Sequence, residues 1–228
     1  MSTPYVFLFD IDGTLLSSGG AGKMALETAF LNLFGLMEIR KQVPYSGRTD
    51  VAIAHELLQA HDIDPSLENI SKLQESYLNQ LPQALNCKKG SVLPGVIPLL
   101  EALRSSSHSI MIGLLTGNIR RGAQVKLGHY DMNHFFSFGG FGDGVHTRNE
   151  VAQAAWNEAR QFAGVELSPN RTWVIGDTPL DISCARHIGA KVLAVSTGMH
   201  PHDELESHKP DLLAASLNHP VLLSRMLV

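Results

Sequence analysis

Cysteine is nearly absent: Cys87 and Cys184 are the only two in 228 residues. A pair so widely spaced builds neither a disulfide framework nor a metal-ligand cluster, which is the pattern of a reducing, cytoplasmic compartment. Long basic runs are also lacking, since none exceeds Arg120-Arg121 or Lys88-Lys89, and 18 Lys and Arg against 22 Asp and Glu leave a formal charge of -4. That balance argues against a nucleic-acid partner held through a basic footprint. The apolar run near the N-terminus, Tyr5 to Phe9, is far short of the ~20 residues of a membrane span, and the opening MSTPYVFLFDIDG has no basic leader, so no membrane partner or export is expected. What is present is ordinary for a globular protein, with 44% hydrophobic and 18% charged residues. The length suits one large domain or one domain carrying an insertion.

Four short apolar runs flanked by turn residues read as buried strands: Val6 to Phe9, Ile110 to Leu115, Trp173 to Ile175 and Val192 to Val195. Helical spacing fills the later intervals, as in Val151, Ala154, Ala155 and Phe162, and in Pro179 to Ile188 with Gly189 just beyond. Alternating strands and helices predict an α/β fold with a doubly wound, mainly parallel, Rossmann-like sheet. From residue 17 to 90 the alternation stops and three helical patterns follow one another, around Leu26 to Leu33, Ile53 to Leu58 and Ile70 to Leu81, with Asp50 as the expected N-cap of the second. These helices form an inserted α-helical unit at 17–90, or else pack directly on the sheet; in the first case residues 1–16 and 91–228 form the core domain, re-entered at Pro94-Gly95.

Three of the strand runs end in a polar residue, namely Asp10, Thr116 and Asp177. In an open parallel sheet the ligand crevice lies beyond the carboxyl ends of the strands, so these residues are expected to meet there with Asp12 and Asp181. Four carboxylates in one crevice repel by about 4 kcal/mol per pair at 4 Å and an effective dielectric near 20. A hard divalent cation such as Mg2+ answers that repulsion while leaving positions for water and a substrate phosphate. Taken alone, Asp177 before Thr178-Pro179 also reads as a turn or cap residue.

Three motifs now carry a resemblance: FDIDGTL at residues 9–15, LLTGN at 114–118 and GDTPLD at 176–181. In order and spacing they resemble the signatures of the haloacid dehalogenase-like (HAD) hydrolases, and the helical segment after the first motif resembles the α-helical cap of the phosphoglycolate phosphatase-like and β-phosphoglucomutase-like branches. The resemblance implies a Mg2+-dependent phosphomonoester hydrolase acting on a small organic phosphate. Asp10 is then the nucleophile that forms an aspartyl-phosphate, and Asp12 is the acid and base that serves the leaving group and then water. Asp12 would share a side with Asp10 if the strand continues through Ile11. Thr116 and the backbone N–H groups of Gly117 and Asn118 hold phosphoryl oxygens. Asp10, the main-chain carbonyl of Asp12, and Asp177 bind the metal, which Asp181 ligates or helps through an oriented water. Thr14 either positions Asp12 or shapes the turn.

One departure from the family pattern is the missing third-motif Lys. Arg148 is the expected substitute. Lys126 is the rival, set aside because ten residues of helix at 1.5 Å each would carry it about 15 Å from the strand tip. The segment Ser17 to Lys23 fails the P-loop pattern and reads as a hinge, while Gly139 to Gly144 reads as a loop at the sheet edge. His200, His202 and His208 read as part of a solvated loop. Arg48 in Ser46–Asp50 is a candidate for the substrate's distal group, or simply an exposed arginine at a helix start. Asp12 disfavours carbon–halogen chemistry, because a departing halide needs no proton. A phosphomutase, a 2-haloacid dehalogenase and a non-catalytic binding module remain the alternatives, with a monomer or homodimer expected.

Overall fold

Five uncharged, fully enclosed residues, Tyr5–Phe9, form β1. In the computed structural model, which describes residues 3–218 and 221–227, the chain then turns through β2 (Leu16–Ser17) into helices α1 (Ala21–Phe34), α2 (Asp50–Ala60) and α3 (Leu67–Cys87). It returns through β3 (Ser91–Val92), which pairs antiparallel with β2 through Leu16 opposite Val92 and Ser17 opposite Ser91. Beyond it come α4 (Val96–Arg104), β4 (Ile110–Leu115), α5 (Arg120–His129), β5 (Phe138–Gly140), α6 (Arg148–Ala163), β6 (Thr172–Gly176) and α7 (Pro179–His187). The chain finishes with β7 (Lys191–Val195), α8 (His202–Ser207), β8 (Leu212–Ala214) and α9 (Leu222–Met226).

The main sheet has the order β5-β4-β1-β6-β7-β8, and every pairing in it is parallel. Alternation along β1 sends Phe7 and Phe9 to one face, where α4, α5 and α9 cover them, and Val6 and Leu8 to the other, beneath α6 and α7. The fold is thus a doubly wound Rossmann-like α/β sheet. Full burial of each large apolar side chain in β1 contributes about 1.5–3 kcal/mol. The chain runs from β1 out to β4 and β5 on one side, then crosses to β6 on the other, so β1 and its two neighbours define the switch point where such sheets open a crevice.

The three helices after β2 enclose their own apolar cluster, built on Phe30, Leu57, Leu58, Leu73 and Leu81. Ile119, from the loop after β4, inserts into that cluster and joins it to the sheet.

Several expectations are corrected. The N-cap of α2 is Thr49, whose hydroxyl accepts from the Ala52 N–H at 3.1 Å, and Asp50 is the first helical residue. Gly139 and Gly140 lie in edge strand β5 rather than in a loop, because a three-residue strand containing two glycines has too little β-forming character to be seen in sequence. The histidine segment is also not all loop, since His202 opens α8. Finally, β1 stops at Phe9 and does not extend through Ile11. The Ile11 carbonyl instead accepts N–H bonds from Leu15 and Leu16 at 2.9 and 3.0 Å, and Gly13, at φ 86°, closes the turn in a conformation that a side chain would oppose. Among the described residues no helix is long and apolar enough to cross a membrane.

Candidate active site

The carboxyl ends of β1, β4 and β6 open onto a cavity of about 470 Å3, closed from above by the α1–α3 segment. Asp10, Asp12, Thr116, Arg148 and Asp177 all line it. The carboxylates of Asp10, Asp177 and Asp181 come within 4.8 Å of one another although Asp10 lies more than 160 residues before the other two.

Each is fixed by its local structure. The Asp10 N–H bonds to the Ile175 carbonyl at 2.9 Å, which ties the end of β1 to β6. Asp177 accepts from the Thr14 hydroxyl at 3.0 Å, so Thr14 braces this carboxylate rather than Asp12. Glycines make room for it: a Cβ on Gly198 would fall 1.7 Å from Asp177 Oδ2, and one on Gly13 would fall 2.3 Å from the same atom. Asp181 sits in the first turn of α7 as half of a capping box, with Oδ2 accepting from the Thr178 N–H and hydroxyl at 3.1 and 2.8 Å.

Arg148 is the first residue of α6, behind the Thr147 N-cap and its Glu150 partner. A cation there opposes the helix dipole, so local helix energetics do not explain it. Its guanidinium, almost wholly buried, donates to Asp10 Oδ1 at 3.2 Å, to Asp181 Oδ1, and to the Leu115 carbonyl at 3.3 Å. Its Nε is buried without a partner among the described residues.

One guanidinium thus faces three buried carboxylates. Burial pushes the carboxyls of Asp10 and Asp177 above their ordinary range, and Asp181 pushes both the same way, joined by Asp12 at Asp10 and by Asp10 at Asp177. Arg148 pulls both back only in part. An all-oxygen donor set with surplus negative charge suits a hard divalent cation, and Mg2+ fits these residues.

A second cluster surrounds Asp12. Lys126 Nζ donates to Asp12 Oδ2 at 2.5 Å and to Asn118 Oδ1 at 2.6 Å, and Asn118 Nδ2 donates to the same Asp12 oxygen at 2.9 Å. Burial alone would raise the Asp12 carboxyl, but the Lys126 charge and these bonds hold it below its ordinary range. The 15 Å separation expected for Lys126 is therefore wrong. Helix α5 begins only at Arg120, and helical side chains lean toward the N-terminus, so the long lysine stem reaches back to the strand end. The sequence carried no signal for this contact, because the burial of Lys126 is visible only in the structure.

Thr116 is fully enclosed, and its hydroxyl oxygen accepts from Asn118 N and Nδ2 at 3.3 and 2.8 Å. Gly117 is pressed under the loop before α2: a Cβ would lie 2.1 Å from the Arg48 carbonyl oxygen, and the Gly117 carbonyl accepts the Asp50 N–H at 2.8 Å. Asp50 Oδ2 accepts from the Ile119 N–H at 2.8 Å, so one residue docks α2 onto the loop after β4 through both its backbone and its side chain. Arg48 lines the cavity, but its guanidinium is held by Glu56 and by the Pro44 carbonyl at 3.3 Å. Ser46 reaches His200 Nε2 at 3.2 Å, and His200 Nδ1 faces Glu204 at 2.9 Å.

The sequence model of haloacid dehalogenase-like hydrolases matches residues 7–195, which span both carboxylate clusters, Thr116, Lys126 and Arg148. The chain belongs to that family. HAD-like relatives include a phosphoglycolate phosphatase of Synechococcus elongatus, 27% identical over 212 residues covering 90% of each chain. A phosphoglycolate phosphatase of Vibrio vulnificus is 24% identical over 214 residues, 92% of this chain and 91% of that one. In three dimensions this HAD-like fold is similar to the crystal structure of CbbY from Rhodobacter sphaeroides in complex with phosphate, with a TM-score of 0.76 at 16% identity over 99% of this chain and all of the other.

Proposed function

We propose that this HAD-family hydrolase is a Mg2+-dependent phosphatase that cleaves a small organic phosphate through a phosphorylated Asp10. The observation that carries the proposal is the pairing of two carboxylates with opposite environments on one cavity wall. Asp10 stands among carboxylates and is gripped by Arg148, while Asp12 is clamped by Lys126 and Asn118. One group suits attack on phosphorus and the other proton traffic, and a second carboxylate has no task in halide displacement.

In the first step an Asp10 oxygen bonds to phosphorus, the bond to the leaving oxygen breaks, and Asp12 delivers the proton that this oxygen needs. A dianionic phosphoryl group arriving beside Asp12 raises its proton affinity, which counters the pull of Lys126. In the second step Asp12 takes a proton from water, which attacks phosphorus and releases inorganic phosphate from Asp10. Arg148 balances the nucleophile's charge, and Thr116 with the N–H groups of Gly117 and Asn118 holds phosphoryl oxygens. Asp10, Asp177 and the Asp12 main-chain carbonyl would hold Mg2+, which supplies charge neutralisation at the transferring phosphoryl group. Asp181, whose oxygens are also engaged by Arg148 and Thr178, would ligate the metal or orient a water bound to it.

Residues 17–90 serve as a cap over a core of residues 1–16 and 91–228, with Arg48 in the cap wall facing the substrate's distal end. The reading extends to a phosphoglycolate-like substrate, a cytoplasmic site of action consistent with the free thiols of Cys87 and Cys184, and a monomer or homodimer. Phosphate release from a panel of metabolite phosphates at neutral pH, with and without Mg2+, tests the proposal. Metal-dependent release by the wild type and none by Asp10→Asn is expected; equal rates for the two proteins on every ester would overturn it.

A further inference from the structure

Lys126 transfers no proton and holds no phosphoryl oxygen in the two steps just described, yet it is among the most enclosed polar groups in the cavity, at 4% exposure. Stability does not account for it well, since a buried ion pair is commonly no better than an apolar pair of the same size. Its geometry suggests a different purpose. The ammonium and the Asn118 amide place two donors on the same oxygen of Asp12, and the ammonium also holds the Asn118 carbonyl oxygen, so the three side chains form a closed triangle. Such a triangle fixes the plane of the Asp12 carboxylate as well as its position.

The far side of the ammonium is walled by the helices of residues 17–90. Gly22 of α1 lies so near that a Cβ there would come 3.1 Å from Nζ and 3.4 Å from Cε. The ring of Tyr77, on α3, packs against α5 at Gly122, where an added Cβ would be 3.3 Å from it. Asp50 of α2 and Tyr77 line the same cavity, and the Asp50 carboxylate bears electrostatically on the ammonium. All three helices of this segment therefore contribute to the seat of one lysine that belongs to the sheet domain.

We propose that Lys126 is a positioning residue for Asp12 whose seat is completed by the helical segment, so that Asp12 is correctly aimed for proton transfer only when that segment is docked on the sheet. The inference rests on the proton-transfer role of Asp12 proposed above.

Rapid mixing with p-nitrophenyl phosphate and Mg2+ separates the two steps. Departure of nitrophenolate needs no proton, whereas hydrolysis of the phosphorylated Asp10 needs Asp12 as base. Lys126→Met should give a burst of nitrophenolate at nearly the wild-type rate, followed by turnover slowed by about 10²-fold, the scale of general acid–base catalysis. With an alkyl phosphate the burst should vanish and kcat should fall by a similar factor with little change in KM. Gly22→Val, which presses on the ammonium from the helical side alone, should reproduce the pattern more weakly, and Lys126→Gln should fall between wild type and Lys126→Met.

Equal slowing of both steps in Lys126→Met and Lys126→Gln, or no slowing, would overturn the positioning role. An unaffected Gly22→Val would overturn the dependence on docking. Should Lys126→Met fail to fold, Lys126→Gln and Gly22→Val carry the test by themselves. A wild type without Mg2+-dependent release would instead sink the phosphatase reading, so the two failures are distinguishable.

Discussion

Replacing Arg148 with Met keeps much of the side chain's volume and removes the only cation bonded to Asp10 and Asp181 among the described residues. Breaking a buried ion pair by removing one partner costs about 3–5 kcal/mol. The substitution also deletes a buried Nε that has no hydrogen-bond partner among the described residues, which returns roughly 1 kcal/mol. The expected net loss is about 2–4 kcal/mol at pH 8 without metal. For a chain of this size that corresponds to a fall in Tm of roughly 4–16 °C. Urea unfolding followed by tryptophan fluorescence reads it, because Trp173 is buried in β6 with its indole N–H bonded to the Met226 carbonyl at 2.9 Å. The deficit should shrink on acidification, since protonated carboxyls need no counter-charge, and it should shrink when Mg2+ is added. A variant as stable as wild type at pH 8, or a deficit that grows as the pH falls, would refute the argument that Arg148 is the internal counter-ion.

Further outcomes are expected from the same geometry. Asp10 and Asp177 hold protons more tightly in the folded protein than at their ordinary value of 3.8, so the stability they contribute is complete below that pH and drains away as pH rises through neutrality. Thermal melts of metal-free protein between pH 4 and 9 should show this decline, and Mg2+ should flatten it by binding the ionised forms. Gly198→Ala forces the Asp177 carboxylate to turn and should weaken Mg2+ binding by roughly 10–100-fold in a calorimetric titration while leaving the fold intact. Asp50→Ala leaves the Ile119 N–H without its acceptor, at a cost of about 1–3 kcal/mol, and hydrogen exchange at that amide should accelerate well beyond the sheet average.

Some features of this molecule are local enough to be read from sequence. The strand at Val6–Phe9 is visible because it is an unbroken apolar run, and the run ends where the backbone must meet a polar crevice. The same logic marks Thr116 and Asp177, and the three neighbouring strands in the sheet, β4, β1 and β6, are the ones that carry them. Strands β5 and β8 escaped notice because three residues at an edge leave almost no pattern. The helical segment was legible in outline from its 3.6-residue spacing, although its docking through Asp50 was not.

Sequence alone therefore determined the sheet, its winding and the three strand ends that carry Asp10, Thr116 and Asp177, since burial writes its pattern into consecutive residues. Tertiary structure alone decided how charge is shared out: Arg148 to Asp10 and Asp181, Lys126 to Asp12, Arg48 to Glu56. These pairings depend on where a long side chain ends relative to helices from other parts of the chain. Spacing along one helix could not supply that distance, because a lysine ten residues beyond Thr116 reaches back to the β1 end of the crevice, where Asp12 lies.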